Sequence, residues 1–568
     1  MQSVAELDLR RDRRAFGFGL TLLGLVVFLT FVIGLDAFVL LDVDEPRFVT
    51  ATRNMYEGGD AIVPWFNGAE RFDKPILVYW LQLIGMWIFG PTEFAARLPS
   101  VIAVTLAALS TSGIARCIGL RRDLALLSGL ALAASAMPQV MGRAATADAL
   151  LLGCTTACAW FQWRIATREK ASFALHLGVW TTLGLAFLTK GPPALVGPAA
   201  LGLGLLSERR KLHVRAWLLG FLWALALVLA WAIPALVRSD GRYWTEGVMH
   251  HVVERSLRPF EGHGGFAPWW YLFYLAAVPI TFLPSSAFLL RLFGRHEGED
   301  PIPRHRALWI WVLGTLLVFT LATSKLPHYP MPAFPALAIL AAAACSPRHV
   351  HRADRWIAGL FIVLGLAFAG LMIAALPATD QVLEWRGENP PGVSSGVVLS
   401  ALAFAVTMFA AARHSWFGRP VRSLLTASLA SLFGFALLAS VVFAKLSPRL
   451  VAHQLRESAP RVLLEAEALM GWELVMPSAV FYLHRDVRRF RPGPEHRENL
   501  ERLYAWIERP GHYLLARRRK MQMLYDGLDE LAPERARRLR AALDRPAARV
   551  IGLMPSRGRA ERIDVLGL

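Results

Sequence analysis

Apolar runs of about 20 residues recur so often along this 568-residue chain that a lipid bilayer must be its main solvent. They fall near residues 16–38, 94–115, 123–141, 147–163, 172–189, 192–207, 216–237, 267–292, 307–323, 329–346, 355–376, 394–412 and 423–444, about thirteen candidate spans. A hydrophobic share of 55% against 18% charged residues, with a mean hydropathy of +0.41, excludes an ordinary soluble enzyme. The 192–207 run is short enough for a re-entrant or tilted helix. The first run follows a basic stretch, as a secretory signal would, but has no small-residue cleavage site and precedes many further spans. It reads as an uncleaved anchor, and an odd number of spans puts the two termini on opposite sides.

Lysine and arginine gather in alternate short loops, which orients the chain. Arg10, Arg11, Arg13 and Arg14 precede the first span; Arg116, Arg121 and Arg122 follow the second; Arg164, Arg168 and Lys170 follow the fourth. The basic loops near 209–215, 291–306, 348–355 and 413–422 continue the pattern on the same side. These loops are expected in the cytoplasm, with the N-terminus. They also account for the net charge of +18, and no aromatic-interleaved basic motif argues for a nucleic-acid partner. Cys117, Cys154, Cys158 and Cys345 lie in or at the ends of spans, where packing and no disulfide framework is expected.

The opposite face collects the polar chemistry. Its longest loop, 39–92, opens with Asp42, Asp44, Glu45 and Arg47 directly after the first apolar run. The segment 45–57 has the pattern of a helix lying along the interface, and 76–89 that of a second amphipathic piece anchored by Tyr79, Trp80 and Trp87. The same face carries Arg71, Asp73 and Lys74, then Arg143 and Asp148, Lys190 before Gly191-Pro192-Pro193, the 238–266 loop, and Ser324-Lys325-Leu326-Pro327-His328-Tyr329. An ionised side chain at a bilayer centre costs roughly 2.5–3.5 kcal/mol, so charges at span ends are the cheaper arrangement. A secondary transporter would keep its ionisable groups near the midplane of two repeated halves, and neither feature is present in the sequence.

The residues carry a resemblance. Asp44-Glu45-Pro46-Arg47, Gly59-Asp60-Ala61-Ile62-Val63-Pro64, Arg71-Phe72-Asp73-Lys74-Pro75 and Tyr79-Trp80 resemble the first external loop of the aminoarabinose lipid A transferase family. That family is related to the protein O-mannosyltransferases. The similarity continues through Arg97-Leu98-Pro99-Ser100, Thr189-Lys190-Gly191-Pro192, Pro268-Trp269-Trp270-Tyr271 and the 324–329 segment, in the family's order. It implies an α-helical polytopic membrane protein of the GT-C fold, with about 13 transmembrane helices over residues 1–445 and a small C-terminal periplasmic α/β domain over 446–568. It further implies transfer of a sugar from a polyprenyl (undecaprenyl) phosphate donor to an envelope acceptor on the periplasmic face of a bacterial inner membrane. Aminoarabinose moved to lipid A is the nearest case; mannose or another hexose moved to a protein or another lipid is the alternative within enzymes. No Gly-rich nucleotide-phosphate loop is present, in keeping with a lipid-linked donor.

A phosphate leaves as a stable anion, so donor activation mainly needs cations. Lys74, Arg258 and Lys325 have the right charge in three external loops; the resemblance makes Lys74 the lipid-phosphate lysine and Arg258 an arginine of the membrane-proximal loop, against the plainer role of interfacial anchors. By the same resemblance Asp44 is the catalytic carboxylate. It is a general base if the acceptor is a hydroxyl, and an orienting or charge-balancing group if the acceptor is an anionic phosphate. Asp before Glu-Pro is equally a helix-capping pattern. Asp148 resembles the family's second external aspartate, positioning acceptor or capping the fourth span. Glu45, Asp73, Tyr329 and His263 are the expected sugar-facing or cavity-lining residues; Tyr329 is as well suited to an aromatic belt. Asp73 departs from the glutamate that many relatives carry before Lys-Pro, which puts the sugar's identity in doubt.

No cofactor is required by this chemistry. A non-essential divalent metal is an open alternative, held by Asp73 and His263 or near His250, His251 and Glu254. In the C-terminal part, 472–476, 512–515 and 548–553 read as strands and 497–508 as an amphipathic helix, with 478–483 a short helix or strand. Its arginines suit anionic headgroups of membrane lipids or lipid A, and equally plain solvation.

Overall fold

The computed structural model describes residues 4–208, 214–254, 267–293, 306–346, 352–386, 393–443, 447, 450–472, 476–490, 496–518, 521–529, 531–554 and 559–568. A helical bundle comes first. Its helices are α1 (Val4–Val32), α2 (Asp44–Tyr56), α3 (Leu77–Phe89), α4 (Glu93–Cys117), α5 (Arg122–Ala134), α6 (Ala136–Met141), α7 (Ala147–Ala166), α8 (Phe173–Lys190), α9 (Pro193–Ser207) and α10 (Val214–Arg238). After a π-helix, Tyr243–Glu254, come α11 (Pro268–Tyr271), α12 (Phe273–Thr281), α13 (Arg306–Leu321), α14 (Phe334–Ala343), α15 (Arg352–Arg386), α16 (Val393–Trp416) and α17 (Pro420–Leu437).

Helix α4 forms much of the bundle's interior, packing on α1, α3, α5 and α7. Small residues let the backbones close: a Cβ at Gly129 would sit 2.3 Å from the Ala108 carbonyl, and one at Gly153 would sit 2.7 Å from that of Ala103. Such contacts are how helices associate where no hydrophobic drive exists between them.

Each of the expected apolar runs contains helix, but unbroken length is rarer than apolarity. Among the described residues six helices are long and apolar enough to cross a membrane, and seven if α11–α12 and the following 3-10 helix Ser285–Phe293 count as one span bent by 112°. The bend falls at Pro284, which lacks an amide proton and disfavours helix in the residue before it. The 123–141 run is likewise divided at Ser135, which is extended between α5 and α6. The 13-residue α5 reaches only about 20 Å, short of a bilayer core of about 30 Å.

Helix α2 is not an interfacial amphipath. Glu45, Pro46, Phe48, Val49, Thr50, Ala51, Thr52, Arg53 and Met55 are all buried. It is enclosed by α3 on one side and by a helix of the C-terminal part on the other. A two-strand hairpin, β1 (Trp65–Phe66) with β2 (Ala69–Glu70), turns the loop that follows it.

The C-terminal part opens with α18 (Val451–Ser458) and α19 (Arg461–Leu464). It continues through β3 (Ala468–Trp472), α20 (Pro477–Leu483), β4 (Val487–Phe490), α21 (His496–Ile507), β5 (His512–Arg517), α22 (Met521–Leu528), α23 (Pro533–Asp544), β6 (Ala548–Met554) and β7 (Arg559–Leu566). The sheet order is β4-β3-β5-β7-β6, parallel through the first three and antiparallel in the last two pairs. The two parallel connections pass through α20 and α21, as parallel strands require. The strand expected at 472–476 lies four residues earlier, and β4 and β7 were not anticipated.

Candidate active site

The chain from Leu35 to Glu45 is wound around one guanidinium. Arg97 of α4 is fully buried and donates Nε to Glu45 Oε1 at 2.9 Å and Nη2 to Oε2 at 2.9 Å. Its remaining protons go to the carbonyls of Leu35 (2.8 Å), Phe38 (2.9 Å) and Val39 (3.1 Å). The backbone amides of Leu41 and Ala145 donate to the same carboxylate at 2.9 and 2.8 Å. A buried pair is tolerable only when every lone pair and proton finds a partner, and here geometry and number are both satisfied. Glu45 therefore does not line a cavity, as the sequence led us to expect: its oxygens are spent inside the protein.

Its neighbour Asp44 faces the other way. At the first turn of α2 its side chain is 74% exposed, with Arg47 Nη1 at 3.7 Å. A single residue step thus separates a structural carboxylate from an accessible one.

The loop beyond α2 is pinned against the bundle. Trp80 Nε1 donates to Ala61 O at 2.8 Å, Trp231 Nε1 to Ile62 O at 3.0 Å, and Arg238 Nη1 to Asp60 Oδ1 at 2.7 Å. Arg242 meets Glu70 at 3.0 Å. These contacts deliver Arg71, Asp73 and Lys74 to one place. Arg71 pairs with Asp73 at 2.5 Å and donates Nε to the buried Tyr79 hydroxyl at 3.1 Å, while Lys74 Nζ donates to Asp73 O at 2.9 Å.

A second charged group acts with them, contributed by two helix ends and a turn. Asp148, in the first turn of α7, accepts from Lys190 Nζ at the last residue of α8, and His328 Nε2 lies 3.4 Å from the same oxygen. The ammonium of Lys190 sits 5.0 Å over the Tyr329 ring, which itself packs against Phe319. The charge of Lys74 acts on both Asp148 and His328, and that of Asp44 acts on His328 and Arg71, so the two groups form one electrostatic site. Burial holds the His328 imidazole below its ordinary range, Asp148 pulls the other way, and Lys190 and Lys74 add to the lowering.

The structure therefore joins Lys74, Asp73, Asp148 and Tyr329, with Asp44 within electrostatic reach. It adds Lys190 and His328, which sequence reasoning had placed on this face without a role. Their signal was the motif order; their shared partner is Asp148, 42 and 180 residues away. Lys325 is arranged differently: its Nζ donates to Thr320 O at 2.8 Å and to Ala322 O, closing the end of α13 as cations do at helix C-termini. Arg258 and His263 lie outside the described residues. Asp73, the other half of the suggested metal pair, has an oxygen committed to Arg71, and among the described residues no three His, Cys, Asp or Glu side chains assemble as ligands.

Asp42 gives the site a pH dependence. Burial pushes its pKa up to about 6, against two bonds from Ser478 and the charge of Arg47, with Glu45 adding to the rise. The folded chain thus binds this proton more tightly than the unfolded one, whose carboxyl titrates near 3.8. Stability from this group is fully present below about pH 4 and is lost as pH rises towards about 6. The thermal midpoint of the wild type is expected to fall relative to that of Asp42→Asn across this window. Parallel curves would show that Asp42 does not titrate there.

Comparison with known proteins identifies the family and the fold. Residues 73–233 match the family model described as dolichyl-phosphate-mannose-protein mannosyltransferase. The undecaprenyl phosphate-alpha-4-amino-4-deoxy-L-arabinose arabinosyl transferase 1 of Sodalis glossinidius is 30% identical over 69% of this chain and 70% of its own. The corresponding transferase of Yersinia enterocolitica is 27% identical over 68% and 70%. Among solved structures, ArnT from Cupriavidus metallidurans bound to undecaprenyl phosphate superposes with a TM-score of 0.68 at 19% identity, covering 96% of this chain and 97% of that one. Its apo state gives 0.70 over 97% and 98%. At that identity the likeness speaks for the fold, which is the GT-C fold of a multi-pass membrane protein.

Proposed function

The chain belongs to the undecaprenyl phosphate-aminoarabinose arabinosyl transferase family, and from that membership we propose that it moves aminoarabinose from undecaprenyl phosphate to a phosphate of lipid A. It is a membrane glycosyltransferase of the lipid-phosphate-sugar class. The reaction takes place at the periplasmic face of the bacterial inner membrane, a side supported by the arginine-rich loops that alternate with those of the site. The loop 39–92 carries the site, and the C-terminal part, 446–568, lies on the same side.

The observation that carries this reading is the cluster of Asp148, Lys190 and His328, with Lys74 and an exposed Asp44 within electrostatic reach of it. An acceptor phosphate oxygen attacks the anomeric carbon of the sugar. The bond from that carbon to the donor's phosphate oxygen breaks, and its electron pair leaves with undecaprenyl phosphate. Negative charge grows on the departing phosphate, where Lys74 gains most from the transition state, with Lys190 a second cation of the same electrostatic site. Arg258, which the family resemblance assigns to the donor phosphate, is a further cation for it. Asp148 holds Lys190 in place. An anionic acceptor needs no base, so Asp44 orients and balances charge; with a hydroxyl acceptor it takes the proton.

Mass spectrometry of lipid A from a deletion strain complemented with the wild-type protein or an empty vector tests the proposal. An aminoarabinose-sized addition to lipid A restored by the protein is the expected result; unchanged lipids would overturn it. The Arg71–Asp73 pair leaves the sugar open, and hexose-linked donors and protein acceptors belong in the same assay. Transfer from those alone would replace aminoarabinose by a hexose.

A further inference from the structure

We propose that helix α20 of the C-terminal part is a positioning element of the active site, in which Ser478 and Tyr482 fix residues 40–42 and thereby set the place of the Asp44 carboxylate. The inference rests on the transferase reading of Asp44. It starts from that side chain's exposure: with 74% of its surface open and Arg47 at 3.7 Å, Asp44 takes its position from its backbone. Two residues upstream the backbone is clasped. The Ser478 amide donates to Asp42 Oδ1 at 2.8 Å and the Ser478 hydroxyl donates to Oδ2, so one residue holds both oxygens and sets the plane of the carboxylate.

Four residues along α20, Tyr482 holds the next point. Its hydroxyl accepts from the Leu40 amide at 2.8 Å and donates to Glu93 at 2.9 Å, and Glu93 is in turn met by Arg456 at 3.4 Å. Val39 N donates to Ser447 Oγ at 3.2 Å. The body of α2 grips the same helix: Arg53 donates to Phe481 O and lies 4.8 Å from the Phe481 ring. Further down the loop Asn67 exchanges two bonds with the backbone of Val487, at 2.9 and 2.7 Å. Thus the segment before Asp44, the helix after it and the hairpin leading to Lys74 all end on one stretch of the C-terminal part.

Two residues span at most about 7 Å, so a shift at Asp42 is carried almost undiminished to Asp44. A misplacement of about 1 Å near reacting groups costs up to about a hundredfold in rate.

The test uses full-length protein in detergent with Ser478→Ala and Tyr482→Phe, and Ser478→Thr as the conservative change. Turnover at varied donor concentration and hydrogen exchange of the amides of 39–44 are both read. The expected result is a fall in kcat of about tenfold, with KM for the donor within about twofold, faster exchange across 39–44, and both restored by threonine. Tyr482→Phe keeps the ring and guards against a Ser478→Ala protein that does not accumulate. Unchanged exchange overturns the clasp. Faster exchange with unchanged kcat overturns the positioning role and leaves a merely structural one. A wild type that moves no sugar removes the transferase reading instead, and exchange then decides the clasp alone.

Discussion

Asp44→Asn is expected to lower transfer while leaving the fold intact, by about 10²–10⁴-fold where the carboxylate takes a proton from the acceptor. The second half of that expectation makes the first interpretable. Asp44 is mostly exposed and its ion pair with Arg47 spans 3.7 Å, so it holds little of the structure together. Replacements at such positions usually change stability by no more than about 0.5 kcal/mol. A hydroxyl acceptor would give that range, because its proton must pass to the carboxylate. A phosphate acceptor needs no base and would give a smaller loss, that of the orienting and charge-balancing role alone. Turnover of purified protein beside its thermal midpoint checks both halves, and a wild-type rate would take Asp44 out of the reaction.

Lys74→Ala is expected to cost about 10²–10³-fold in kcat/KM for the donor, the loss seen when one group stabilising a developing anion is removed. Its ammonium is held at the loop carbonyl of Asp73 and its field reaches Asp148 and His328, so its charge is placed before substrate arrives. Preorganised charge is worth most in the transition state, where the phosphate bears more negative charge than in the donor. Lys74→Arg should recover part of the loss, since charge is kept but reach and shape change. Equal rates for Lys74→Ala and wild type would move phosphate activation elsewhere, to Lys190 and Arg258 first.

The sequence exposed the parts of this site better than their division of labour. Asp44 and Glu45 are adjacent carboxylates with the same local pattern, and only Arg97, 52 residues from Glu45, decides which is buried. Lys190 and His328 lie in recognisable motifs, yet their role is set by Asp148, a long-range partner that no spacing encodes. Lys325 shows another limit: charge and motif match a phosphate ligand, and sequence gives no sign that two of its protons also close the end of α13. Hydropathy located the apolar runs but does not register a serine or proline that divides one, as at Ser135 and Pro284. In the C-terminal sheet, β4 hid behind Arg488 and Arg489, whose charges mark an edge strand as readily as a loop.

The contacts that grip the segment before Asp44 are separated from it by very long stretches of chain: 408 residues for Val39 and Ser447, 442 for Leu40 and Tyr482, 436 for Asp42 and Ser478. During synthesis, the first loop leaves the ribosome and is inserted long before its partners exist. Its buried knot around Arg97 can form early, because Glu45, Ala145 and the 35–39 carbonyls lie within the first 145 residues. The clasp cannot. The enzyme is therefore completed from its far end, and a chain interrupted before α20 would carry Asp44 and Lys74 in a loop left without the bonds of Ser478, Tyr482 and Val487.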